Sequence, residues 1–223
     1  MMPNSPQPDA RSAIFASIRE NLAASAPFDK ARHEHFGPAV PGSAPSGPSD
    51  LPDLHGEFRQ SLEMVGAKCV LVDNENAAAG QLHEIVRELS AQQIAISDSE
   101  LIRRLIKVAK LAATQDSSRD ELFSSDIGFT SAQWAIAETG TLVLESGAES
   151  HRLVSLVPPV HVCVLTSSSI RQTMAEILEL ADTETHRTIT FITGASRTSD
   201  IELTLAIGVH GPRELYVIVI KDK

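Results

Sequence analysis

Four short runs, "KCVLV" at 68–72, "QQIAIS" at 92–97, "VHVCVL" at 160–165 and "LYVIVI" at 215–220, constrain the fold more than any other feature. Each is short, branched and apolar, as buried strands are, and helical patterns stand between the early ones. Leu54, Phe58, Leu62 and Val65 precede the first run; Ala78, Leu82, Ile85, Val86 and Leu89 separate it from the second. Leu101, Ile102, Leu105, Ile106 and Ala109 follow, with Asp98 or Ser99 as cap. Strand and helix in alternation predict an α/β layered architecture with a mostly parallel central sheet.

The first fifty residues differ. Ile14, Phe15, Ile18 and Leu22 fall at helical spacing, and residues 26–52 are dense in Pro, Gly and Ser. The chain therefore divides into an N-terminal helical arm with its linker at 1–50 and a regular domain at 51–223.

After Asp120 the pattern changes. The stretch through Trp134 and Ile136 is compatible with a helix, Glu138 to Thr141 with a tight turn, and Leu142 to Leu144 with a strand. "RLVSLVPP" reads as extended, "SSSIRQTMAEILELAD" as a helix with Ile170, Met174, Ile177, Leu178 and Ala181 on its apolar face, and "TITFIT" as a return to the sheet. Ile201, Leu203, Leu205 and Ile207 alternate with Glu202, Thr204, Ala206 and Gly208, which predicts a hairpin with "LYVIVI" across "GVHGPRE".

A net charge of -10 without a basic stripe argues against nucleic acid as partner. Cys69 and Cys163 stand alone in apolar runs, so they read as buried thiols of a reducing cytosol, and without a CxxC pair the chain lacks the usual thiolate set for a cluster or zinc. The histidines fit no metal-ligand spacing, and no metal is expected. The N-terminus lacks a basic region followed by an apolar core, and no apolar run approaches about 18 residues. A cytoplasmic protein without a membrane span is the expectation.

Two stretches carry candidate chemistry. In "TGASRTSD" at 193–200, Gly194 lets the backbone approach a ligand, Ser196 and Thr198 donate hydroxyls, Arg197 offers a fork for carboxylate or phosphate, and Asp200 orients that fork. Its place after a sheet strand is where α/β proteins bind ligands; the alternative is a loop whose polar groups satisfy one another. In "AETGT" at 137–141, Glu138 precedes Thr139, Gly140 and Thr141, which are expected to bind the ligand by closing the site from a neighbouring strand end. That carboxylate is either a nucleophile or base, or an acceptor that ties down the turn. His210, between Gly208 and Gly211 in "GVHGP", is a further catalytic candidate, whereas His161 within a strand reads as a satisfied, half-buried histidine. No GxGxxG, P-loop or GxSxG pattern occurs.

"AIAETGTLVLESG", "RLVSLVPPVHVCVL" and "TGASRTSDIELTLAIGVHGPRELYVIVI" together resemble the signature blocks of the LUD-domain family, over about Asp126 to Ile220. Ala195 stands where that family often has Pro. The resemblance implies a fold like the NagB/RpiA/CoA-transferase group, a part in oxidising L-lactate to pyruvate, and two partner subunits that carry the iron–sulfur clusters, with no cofactor in this chain. It also implies a small anionic ligand at strand-end loops. Glu138-Thr139-Gly140 has the E-x-G form of CoA transferases, which keeps acyl-CoA or sugar-phosphate chemistry as an alternative beside a purely structural subunit.

Overall fold

The computed structural model describes residues 10–24, 53–115, 118–146, 152–180, 188–199, 205–207 and 211–222. The chain divides into two compact units, Met1–Leu51 and Pro52–Lys223. In the first, α1 (Ala10–Ala24) exposes Ile14, Phe15 and Ile18.

The second unit is an α/β structure built on six parallel strands. In order across the sheet they are β1 (Lys68–Val72), β12 (Glu214–Ile220), β7 (Val160–Thr166), β4 (Ile127–Ser131), β2 (Ile94–Ile96) and β3 (Thr114–Gln115). The mostly parallel central sheet expected from the alternation is present. Tyr216, Ile218 and Ile220 of β12 pack into the core beneath α3 (Glu75–Glu88) and α4 (Glu100–Ala109). Leu215, Val217 and Val219 pack into a second core with Phe58 and Leu62 of α2 (Leu54–Met64). Burial on both faces is what a run without polar alternation implies. Asp53, Asn74 and Ser99 cap these three helices through their side-chain oxygens.

A smaller sheet covers the second core: β8 (Ile170–Arg171), β5 (Trp134–Ile136), β6 (Thr141–Glu145) and β9 (Ile189–Ile192). Its β5–β6 and β6–β9 pairs are antiparallel. Ala135, Leu142 and Leu144 face the second core, while Ile136 and Val143 receive Ile177 of α7 (Met174–Leu180) on the opposite side.

Four expectations need correction. The stretch through Trp134 and Ile136 is strand, not helix; β5 packs Ala135 into the second core and Trp134 and Ile136 on the opposite side, so no polar alternation marks a period of two. "RLVSL" is a short helix, α6 (Arg152–Leu156), which lies on β4 at Gly128, where a Cβ would come within 2.0 Å of the Val154 carbonyl oxygen. The helix expected from Ser167 begins only at Met174, because Ser167–Ser169 form a 3-10 turn and Ile170–Arg171 pair with β5; Ala181 lies outside the described residues. "TITFIT" returns to the smaller sheet rather than the parallel one.

The hairpin is also placed differently. β11 (Leu205–Ile207) pairs antiparallel with β10 (Arg197–Ser199), whereas β12 is claimed on both sides by parallel neighbours; residues 201–204 lie outside the described set.

Beyond β12 the chain is tied to the end of β7. The Asp222 carboxylate accepts from the hydroxyls of Ser167 and Ser168 and from the Ser168 N–H at 2.8 Å, and these bonds pull its pKa from 3.8 to about 2. A depressed carboxylate contributes stability above its unfolded pKa that disappears as pH falls through the folded value. Asp222→Asn should lower the melting temperature slightly at pH 7, given the solvent exposure. The gap between variant and wild type should close between about pH 4 and pH 2 in thermal melts.

Candidate functional site

Two loops meet at a cavity of about 380 Å³. One follows β9 and supplies Thr193, Gly194, Ala195, Ser196 and Arg197; the other leads into β12 and supplies Gly211 and Pro212. Leu156 of α6 and Leu215 add apolar wall, and Ser155 and His161, 0% and 1% exposed, also line it. The cavity therefore sits at the amino ends of β7 and β12, not at the carboxyl edge where open α/β sheets usually bind ligands. The loop reaches it from the smaller sheet.

Local packing explains the shape of the first loop. Gly194 is buried with φ +76°, and a Cβ there would lie 2.5 Å from the Val65 carbonyl oxygen. Arg197 donates from Nη2 to that same oxygen at 2.9 Å. Val65 closes α2, where the Ala67 N–H bonds the Leu62 carbonyl and the Gly66 N–H that of Glu63, as in a Schellman end. A guanidinium beside the last carbonyls of a helix also complements the negative end of its dipole. Arg197 thus joins the cavity lining to the end of α2 and spends one of its five N–H donors there. Ser196 donates its backbone N–H to the Pro212 carbonyl at 2.8 Å, which clips the two loops together.

The "AETGT" turn lies beside this site and does not line it. Glu138 is exposed; its Oε1 accepts from the Met174 N–H at 3.2 Å, at the start of α7, where Thr173 and Glu176 bond each other reciprocally. Gly140, with φ +62°, presses on α2: a Cβ would meet the Leu62 nitrogen at 2.4 Å. Thr139 and Thr141 share a hydroxyl hydrogen bond of 2.7 Å, and Thr141 shares another of 2.7 Å with Thr193. Of the turn's residues, the two threonines communicate with the cavity, through Thr193.

Asp200 and His210 lie outside the described residues, as do the side chains of Thr198 and Ser199. His161 is more buried than expected and shares a 2.8 Å hydrogen bond between Nε2 and the Thr130 hydroxyl. Four lining residues with polar side chains were given no site role in the sequence: Ser155, His161, Thr190 and Thr193. For Thr193 a signal existed, since it directly precedes Gly194 at the end of an apolar run. For Ser155 there was none, because α6 is too short to display a face. Among the described residues no group of three His, Cys, Asp or Glu side chains is placed to hold a metal ion.

The LUD-domain family model matches residues 56–220, well over half of the chain. The chain is a member of the LUD-domain family. Curated relatives of this LUD-domain chain include an uncharacterised protein of Neisseria meningitidis serogroup B, 36% identical over 67% of this chain and 66% of its own length. Lactate utilization protein C of Deinococcus radiodurans is 43% identical over 46% and 50%, and that of Halalkalibacterium halodurans 33% identical over 60% and 56%. The matches thus span about half to two thirds of those relatives' lengths. A crystal structure of a DUF162 family protein from Deinococcus radiodurans superposes with a TM-score of 0.60 at 26% identity, covering 75% of this chain and 96% of that one.

Gly194→Ala combines a left-handed backbone with a clash against main-chain oxygen, and should cost about 1–3 kcal/mol in denaturant unfolding. Glu138→Gln keeps an Oε1 acceptor for Met174, so its unfolding midpoint should stay near wild type. If Glu138 were a nucleophile, the same change would abolish an activity while leaving that midpoint alone.

Proposed function

We propose that this LUD-domain protein is a cytoplasmic, cluster-free subunit of a system that oxidises L-lactate to pyruvate, and that its cavity takes a small carboxylate-bearing ligand. The observation that carries this reading is the meeting of Thr193 to Arg197 with Gly211 and Pro212 around one cavity, so that an arginine stands in its lining. Relatives named lactate utilization protein C support the physiological setting.

Oxidising L-lactate removes two electrons and two protons, and a redox acceptor must take the electrons. Cys69 and Cys163 pair with Val217 from opposite sides, which sets them about 10 Å apart, two strand spacings. Burial pushes the Cys69 thiol up to about 11, so it is no ready thiolate ligand. Both facts support iron–sulfur clusters held by partner subunits. Among the described residues no helix is long and apolar enough to cross a membrane. A likeness to the NagB/RpiA/CoA-transferase group belongs to the same proposal, and the layered α/β build supports it. Acyl-transfer chemistry at Glu138 is less favoured, because that carboxylate serves α7 outside the cavity lining.

The test is lactate-dependent dye reduction by the co-expressed assembly, with and without this chain; equal rates would refute the role. Within the assembly, Arg197→Ala should weaken L-lactate binding by about ten- to a hundred-fold, since hydrogen bonds to charged groups contribute about 1.5–3 kcal/mol. Arg197→Lys should stay impaired, because an ammonium keeps the charge and loses the planar fork. Lowered stability with unchanged affinity would make Arg197 a latch for α2 alone.

A further inference from the structure

The hydroxyls of Thr139, Thr141 and Thr193 are brought into one line by the β6–β9 pairing and by the turn that precedes β6. Leu142 of β6 is registered against Ile192 of β9, so the next pair along the strands is Thr141 with Thr193. Thr139 lies in the turn just ahead of β6, and the left-handed Gly140 between the two brings its hydroxyl onto that of Thr141. The result is a line of three hydroxyls with two O···O distances of 2.7 Å, the usual length for hydroxyl pairs. One end, Thr193, lines the cavity; the middle, Thr141, is 3% exposed; the other end, Thr139, is exposed.

Proton counting gives this line two states. Each hydroxyl has one proton, and the two links consume two of the three. Accepting from both neighbours would leave the proton of the buried Thr141 hydroxyl without an acceptor, so Thr141 donates to one neighbour and accepts from the other. When it donates to Thr193, the Thr193 proton points into the cavity. When it donates to Thr139, Thr193 gives its own proton to Thr141 and offers a lone pair to the cavity, while the spare proton goes to water at Thr139. Successive hydroxyls in such a chain polarise one another, so each state is favoured as a unit.

We propose that Thr139, Thr141 and Thr193 form a reversible hydroxyl chain that lets Thr193 bind either an alcohol or a carbonyl oxygen at one position. The cavity then accepts both members of a 2-hydroxy acid and 2-oxo acid pair. The inference rests on the reading of the cavity as the ligand site of lactate utilization, and adds to it that substrate and product are held alike. Thr193 is a ligand-contacting residue, and Thr141 a positioning residue that acts through it.

Calorimetric titration of the full chain with L-lactate and with pyruvate tests this. Wild type should bind both with comparable affinity. Thr193→Val should weaken both by about five- to tenfold, and Thr141→Val by roughly threefold, the loss expected for one neutral hydrogen bond and for an unoriented one. Thr141→Ser should restore binding. Serine keeps the hydroxyl but is the poorer strand residue, and valine is the better one, so a purely structural role for Thr141 would make affinity follow stability, the opposite order. Both acids binding with Thr141→Val unaffected, or L-lactate binding without pyruvate, would overturn the hydroxyl chain and leave the lactate reading standing. Binding of neither acid would remove the lactate reading, and with it the ligand class proposed here.

Discussion

The last turn of α2 is the surface on which the site is assembled. The "ETG" turn and the "TGASR" loop come from different parts of the chain, and each places a glycine with positive φ against it: Gly140 on Ser61 and Leu62, Gly194 on Val65. Arg197 completes the contact by bonding the Val65 carbonyl. A side chain at either glycine would meet main-chain atoms, which cannot rotate away, so the cavity wall and the helix end form one packed unit. Burial of Phe58 and Leu62, both 0% exposed, holds α2 against the second core and thereby holds both loops. Each such side chain contributes about 1.5–3 kcal/mol.

The second anchor is β12. Parallel pairing on both sides and burial on both faces determine where its first residues lie, and Gly211 and Pro212 immediately precede them. The Pro212 carbonyl accepts from Ser196, and the Pro159 carbonyl, just ahead of β7, accepts from Arg213. The cavity is thus bounded by two rigid strands on one side and by a helix-pinned loop on the other, a pre-formed arrangement that keeps the cost of ordering low when a ligand binds.

Much of this was legible in the sequence, for physical reasons particular to each element. The runs at 94–96, 160–165 and 215–220 lie in the interior of a parallel sheet, and such strands announce themselves by unbroken apolar character, whereas the equally apolar run at 68–72 is the edge strand and leaves Val70 and Leu71 exposed. The helices between them bury one face and so show a helical period. Gly194 and Arg197 were recognisable because glycine and arginine have few reasons to stand together in a polar loop. What stayed hidden depended on tertiary partners. β5 is short and lies between two layers; α6 exists because Gly128 leaves room for it; β11 finds its partner in β10, since β12 has no open edge. Arg197's bond to Val65 spans 132 residues of chain, and the link between Thr141 and Thr193 depends on a strand register that only the folded sheet defines.

The central claim is that Arg197 presents its guanidinium to an anion in the cavity while remaining bonded to α2. Nitrogen-15 NMR of the arginine side chains during titration with L-lactate tests it most directly. The account predicts a saturable shift of the Arg197 Nε–H resonance, together with backbone shifts at Thr193, Gly194 and Gly211, and little change at the surface pair of Arg104 and Glu75. An Arg197 resonance that does not move as lactate reaches saturating concentrations for the assembly, or that moves no more than Arg104, would contradict it.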